Sequence, residues 1–225
     1  LLIGVFAVDL QSQTTDYATV FGKDWDKANS FLNENRDWME PLLEKNHIPY
    51  NLAVSVIFPE LVRYSAMRDK MEITLLKALY INLGEEYANF SVGQFQIKPS
   101  FADRVRQEAP SVMKRRSGIS FKSAASFDDI TNYRKSIITD LEDAKTEFCY
   151  VIAFIKICEK KYRDEKKDDL SWLKFLSTAY NYGIDKSAEQ IEQMADRRFF
   201  STKLFGSTTY SYSDVSLYWY SHCSR

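Results

Sequence analysis

The chain has 225 residues, with 30 Lys plus Arg against 31 Asp plus Glu and a formal net charge of -1. That balance argues against a protein whose main work is gripping a nucleic-acid backbone, which calls for a basic field. At 45% hydrophobic and 27% charged residues, the composition is that of a globular chain able to bury roughly 70% of its unfolded surface in one large domain.

In chain order, Leu1 to Val8 is an apolar run too short to span a bilayer, followed at once by polar residues 11–17. Two readings compete: the surviving end of a secretory signal cleaved near Ser12, or a buried first strand or helix. The signal remnant is the preferred expectation. No later stretch reads as membrane-spanning, because charge interrupts every apolar run, so no stable membrane insertion is expected. Residues 10–23 read as a tether. A helical pattern begins near Asp24 and continues through Trp25, Ala28, Phe31 and Leu32. Asp37 with Glu40 reads as a capping box opening another helix, with Pro41 in its first turn, and His47-Ile48-Pro49 stops it. His47 reads as a surface or capping histidine.

Residues 52–64, LAVSVIFPELVRY, are almost continuously apolar and fit a buried helix or a strand. Helix is preferred, with Pro59 as a kink or a new first turn. Glu60 then sits beside a helix break between Phe58 and Leu61, where partial desolvation favours its protonated form. From Ala66 to Leu83 the apolar spacing is helical, and Gly84 is a C-cap. Residues 85–100 read as a loop leading into a short helix, and Phe101 to Val105 add a turn or two. Residues 110–132 read as an exposed Ser-rich excursion whose Lys114-Arg115-Arg116 run is solvated.

A long helix is expected from about Asp140, with Leu141, Ala144, Phe148, Ile152, Ile155 and Cys158 recurring at helical spacing. The next begins around Asp169, carries Trp172, Phe175, Leu176 and Ala179 into Tyr180-Asn181, and closes at Gly183. Ser187 with Gln190 is a capping box opening a helix to about Arg198. The Tyr- and Ser-rich residues 201–225 are expected to pack on the domain or to form an interface segment. The expected fold is all-α with little or no sheet: a signal remnant and tether over 1–23, one helical domain over 24–200, and a tail over 201–225.

The 15 Phe, 14 Tyr and 4 Trp suit cores, sugar clefts and interfaces alike. Cys149 and Cys158, if on one helix, lie roughly 13 Å apart, beyond disulfide reach. Either can pair with Cys223, or all can be free. With 2 histidines and no CxxC spacing, no zinc cluster is visible and no cofactor is implied.

Three segments stand apart: FPEL around Glu60, VGQFQIKP at 92–99 and AYNYG at 179–183. In that order they resemble the signature segments of the lysozyme-like superfamily, in its lytic transglycosylase and goose-type lysozyme branch. That pattern is a Glu at a helix end, then Gly-Leu-Met-Gln-Ile-x-Pro, then Ala-Tyr-Asn-x-Gly. Glu60 matches the catalytic acid; Gly93, Gln96, Ile97 and Pro99 match the second segment; Ala179, Tyr180, Asn181 and Gly183 match the third. The resemblance covers about residues 50–200. It departs at Leu61, where the family has Ser, and at Gln94-Phe95, where it has Leu-Met. The spacing from Glu60 to the second segment is also longer, since it includes a whole helix.

The resemblance implies a lysozyme-like helical domain in the bacterial periplasm or outside the cell, acting on peptidoglycan glycan strands, with an envelope protein as the expected partner of the 201–225 tail. Its catalytic residue would be Glu60, with Ser91, Gly93, Gln94, Phe95, Gln96, Tyr180 and Asn181 binding substrate. The chemistry can also be argued from residue types. Cleaving a glycosidic bond requires a carboxyl that stays protonated near neutral pH, which Glu60 supplies if Phe58, Leu61 and Phe95 dry its surroundings. Gln96 and Asn181 carry paired donors and acceptors suited to N-acetyl and hydroxyl groups. Tyr180, by the resemblance, donates a hydrogen bond that orients Glu60. The plain structural alternative for Glu60 is a helix-terminus carboxylate paired with Arg63. Asp69, Glu72, Glu85 and Glu86 are available as a second acid, but nothing in the sequence selects one. The resemblance instead implies a one-acid route in which the substrate's N-acetyl group assists and the product is an anhydro-sugar. A non-catalytic wall-binding protein on the same fold, and a true lysozyme-type hydrolase, are the alternatives.

Overall fold

The computed structural model describes residues 15–66, 71–88, 90–202 and 208–223. The proposed signal remnant and Asp69 therefore lie outside the described residues, as do the side chains of Glu72 and Cys223. Among the described residues the fold is mostly α-helical with one two-stranded sheet, as the all-α expectation held. No described helix is long and apolar enough to cross a membrane.

The architecture is built around helix α3 (Tyr50–Ala66). Every residue from Leu52 to Val62 is buried, so over this span the helix has no solvent face. That explains why its sequence reads as a run rather than a stripe. Pro59 lies inside it without ending it, removing only the N–H that Ser55 C=O would otherwise accept. Around α3 pack α2 (Lys23–Lys45), α7 (Ala144–Lys161), α8 (Asp169–Tyr182) and α10 (Tyr212–Cys223). A chain of rings joins them, with Trp25 edge-on to Phe58 at 4.5 Å and Phe58 stacked on Trp219 at 5.3 Å.

Helix α2 runs unbroken through Asp37 and Pro41. The capping box expected there does not form, because Glu40 pairs instead with Arg36 one turn back at 2.8 Å. Pro41 deprives only the Asp37 carbonyl of a partner, on an exposed part of the helix where water can serve it. The tether reading also gives way over its described part. Asp16 caps α1 (Tyr17–Phe21), and Tyr17 and Phe21 are buried against Tyr210, Tyr218 and Phe200.

Helix α4 (Met71–Leu83) ends at Gly84, whose φ of 101° is the conformation a C-cap glycine supplies. After the loop comes α5 (Pro99–Glu108), with the proline in its first turn. Residues 109–126 hold short 3-10 turns, and within this largely exposed stretch Ser117 and Ile119 are buried. Helix α6 (Ile130–Glu142) and α7 are separated at Asp143, which caps α7 by accepting from Thr146 N. The single helix expected from Asp140 is thus the end of one and the whole of another. The Ser187 capping box is present and opens α9 (Ala188–Met194). Strands β1 (Arg198–Phe200) and β2 (Tyr210–Ser211) pair antiparallel and lead into α10. Cys149 and Cys158 are free thiols.

The residues expected as a tail thus include a helix packed on α3 and α8. Buried Tyr212 donates its hydroxyl to the Val56 carbonyl of α3 at 3.0 Å. Tyr212→Phe is expected to lower stability by about 1 kcal/mol. Urea denaturation should show this as a lower midpoint with an unchanged slope.

Candidate active site

One cleft of about 440 Å³ opens beside α3, and Glu60 is part of its wall. Ser91 and Gln96 reach it from the loop after α4, and Tyr180 and Asn181 from the end of α8. Three segments separated by up to 120 residues in the chain therefore meet at one cavity. They do so because α8 packs directly on α3 and the 92–97 turn is held by α7 and α8.

Glu60 is only 4% exposed, with Phe58 and Leu61 fully buried on either side of it in the chain. Burial raises its carboxyl above the ordinary carboxylate range. Arg63 opposes that shift through its charge and its hydrogen bonds, and Lys98 more weakly through its charge. Arg63 Nη1 donates to both carboxylate oxygens, at 2.8 and 2.9 Å, one turn along α3. Its guanidinium also lies over the Phe200 ring at 4.6 Å. The net direction is upward, so desolvation outweighs the ion pair. Arg63→Gln removes the main counterweight, so the Glu60 proton should be held to still higher pH. A carbon-13 carboxyl titration checks this, and a downward move would contradict the assigned cause.

The second segment is a tight turn. Val92 and Ile97 exchange both backbone hydrogen bonds at 3.0 Å. Gly93 takes a φ of 79° and Gln96 one of 54°, a left-handed conformation that a non-glycine residue adopts only when its surroundings impose it. The Gln96 side chain donates to the Gly93 carbonyl at 2.8 Å, leaving its Oε1 free of that bond at the cleft wall.

This geometry divides the expected substrate-binding residues. Ser91, Gln96, Tyr180 and Asn181 line the cleft; Gly93, Gln94 and Phe95 do not. Phe95 is fully buried, its ring against Phe148 at 5.4 Å and Phe31 at 6.0 Å. Gly93 lies against the Leu141 carbonyl and the Glu147 carboxylate, on the core side of the turn. A tight turn alternates inward and outward, and a linear motif does not say which residues face which way.

Tyr180 requires a second correction. Its hydroxyl donates to the Phe95 carbonyl at 2.9 Å, not to Glu60. Its ring sits edge-on between Phe154 at 5.4 Å and Phe101 at 5.5 Å. Burial pushes the phenol well above its ordinary range, and the charges of Glu147 and Glu60 push the same way. Tyr180 acts on the site through the turn it holds.

The remaining wall carries mixed charge. Lys98, Arg104 and Arg63 supply cations; Glu85, Asp103 and Asp185 supply carboxylates. Of the acids weighed as a second catalytic group, Glu85 reaches the cleft and Glu86 does not. Asp103 accepts from the Tyr133 hydroxyl, so it is tied to α6. Buried Arg106 on the other face of α5 bonds Tyr150, Ser136 and Asp140, fastening that helix to α6 and α7. Glu147 was missed altogether. Its signal is present in the sequence: it stands among apolar residues one position before Phe148 on the face that α7 buries.

No group of His, Cys, Asp and Glu with metal-holding geometry occurs among the described residues. Comparison of the chain with family models, with curated proteins and with solved structures finds no match.

Proposed function

We propose that this protein cleaves the glycan strand of peptidoglycan, with Glu60 as the sole catalytic acid. The observation that carries the reading is a buried carboxyl, its proton affinity raised by burial, lining the same cleft as Gln96 and Asn181. Such a site has the components that glycosidic cleavage requires: a proton donor in dry surroundings, and amide side chains able to pair with N-acetyl and hydroxyl groups.

In the proposed sequence Glu60 gives its proton to the glycosidic oxygen as the bond from that oxygen to C1 breaks. The carbonyl oxygen of the sugar's own N-acetyl group attacks C1 and holds the developing positive charge. The O6 hydroxyl then displaces it at C1 while the Glu60 carboxylate takes the hydroxyl proton. The product is a 1,6-anhydro-sugar, and the acid is restored. Arg63 steadies the carboxylate in the interval when Glu60 is ionised, at the two distances quoted above.

A second reading has a specific observation behind it. Arg63 already engages both oxygens of Glu60, and Tyr180 is committed to Phe95, which suits a wall-binding protein that does not turn over. A periplasmic or extracellular setting belongs to both readings. Incubation with peptidoglycan followed by mass analysis distinguishes them. Anhydromuropeptides that vanish with Glu60→Gln support the lytic enzyme, and reducing-end products support a hydrolase. Binding without product supports the wall-binding protein, and neither binding nor product from the natural substrate excludes both.

A further inference from the structure

A second buried carboxylate, Glu147, takes no part in the chemistry above. It is 0% exposed, and no salt bridge to it occurs among the described residues. A charged or even neutral acid in such a place is costly unless its polar atoms are engaged. What engages it is the cleft turn. Glu147 Oε1 accepts the Phe95 N–H at 3.0 Å, while the Phe95 carbonyl accepts the Tyr180 hydroxyl at 2.9 Å. One residue of the turn is therefore held by α7 through its amide and by α8 through its carbonyl.

The turn also lies directly on the carboxylate. A Cβ on Gly93 would fall 2.4 Å from Glu147 Oε2 and 2.2 Å from the Leu141 carbonyl, so only glycine permits this approach. Oε2 makes no hydrogen bond among the described residues. Burial raises this carboxyl well above its ordinary range, opposed by the amides of Phe95, Gln94 and Ile97 and reinforced by the charge of Glu60. The residue following the clamped one is Gln96, with its left-handed backbone at the cleft wall.

We propose that Glu147 is a positioning residue: by holding the Phe95 N–H from beneath, it fixes the left-handed backbone of Gln96 and so the placement of the Gln96 side chain in the cleft. The consequence for substrate rests on the glycan reading, whereas the clamp stands apart from it. A buried apolar residue of the same size could fill the space under the turn. It would leave the Phe95 amide without a partner, and the turn would then be held only by the Val92–Ile97 pair, the Gln96–Gly93 bond and the Tyr180 hydroxyl.

The test uses Glu147→Leu, which removes the acceptor at similar volume, and Glu147→Asp, which withdraws it by one methylene should the leucine variant fail to fold. Amide hydrogen exchange is read at Phe95, with the amides of α8 as the internal control for an intact fold. Affinity for a soluble N-acetylglucosamine tetramer is measured with and without Gln96→Ala. In either variant the Phe95 amide should exchange about 10-fold faster or more, with α8 unchanged. Gln96→Ala should weaken tetramer binding about 10-fold in the native background and less than about 2-fold beside the Glu147 variant. An unchanged Phe95 exchange rate overturns the proposal, as does an equal effect of Gln96→Ala in both backgrounds. If the native protein binds no tetramer, it is the glycan reading that has lost support, and the exchange rate alone decides the clamp.

Discussion

Replacing Glu60 with Gln is expected to reduce anhydro-product formation by about 10²–10⁴-fold, the usual contribution of a positioned general acid. The substitution is nearly isosteric and keeps an oxygen that Arg63 can meet, so the cleft should retain its shape and its affinity for glycan. Loss of turnover with retained binding is therefore the expected pattern, measured by mass analysis of products alongside a pull-down on insoluble peptidoglycan.

Stability gives a second, independent readout on the same variant. The folded-state pKa of Glu60 is raised by burial. Its contribution to stability is thus complete below the ordinary carboxylate pKa and is lost as pH rises through the elevated value. Glu60→Gln should remove that decline and flatten this part of the stability profile toward neutral pH. A profile that steepens instead would mean that the Arg63 ion pair, not desolvation, dominates the site.

Gly93→Ala is expected to be the most damaging single substitution in the turn. The new methyl would meet the Leu141 carbonyl at 2.2 Å and the Glu147 carboxyl carbon at 2.4 Å, at a φ of 79°. Neither neighbour is a loose side-chain end. One is backbone at the close of α6, and the other is buried in α7. Backbone strain and overpacking together should cost about 3–5 kcal/mol, enough to lower the unfolding midpoint by well over 5 °C. Gly22→Ala is the control: φ is also positive, at 50°, but the nearest atom is 4.0 Å away. That change carries the backbone strain without the close approach and should cost about 1–3 kcal/mol. Similar losses for the two would show that conformational strain alone, and not the close approach beneath the turn, is what Gly93 relieves.

Helices whose ends carry their own chemistry could be read from sequence. Ser187 with Gln190, Gly84 and Gly183 mark boundaries because the partners lie within a few residues. Asp37 with Glu40 carries the same pattern and marks nothing, since Arg36 competes for Glu40 and the buried Leu32, Met39 and Leu43 keep α2 on a single packing stripe. Tyr17 and Phe21 looked like tether because their partners, Tyr210 and Tyr218, lie some two hundred residues further on. The same distinction runs through the cleft. Glu60, Gln96 and Asn181 could be nominated by type and spacing. Which way Phe95 points, what Tyr180 bonds, and why an acid sits among the apolar residues of α7 depend on contacts across 52 and 85 residues. Periodicity carries no information at that range.

The hydrogen bonds that tie α10 to the early part of the chain bear on when the core around α3 is completed during synthesis. Tyr212 reaches Val56 across 156 residues, Trp219 reaches Asn29 across 190, and Tyr218 reaches Asp16 across 202. At translation speeds of about 5–20 residues per second, roughly 8–30 seconds separate the emergence of Val56 from that of Tyr212. Throughout that interval one flank of α3 is wet, and Phe58 lacks the ring of Trp219. The packing around α3 is thus completed only when α10 arrives, late in synthesis.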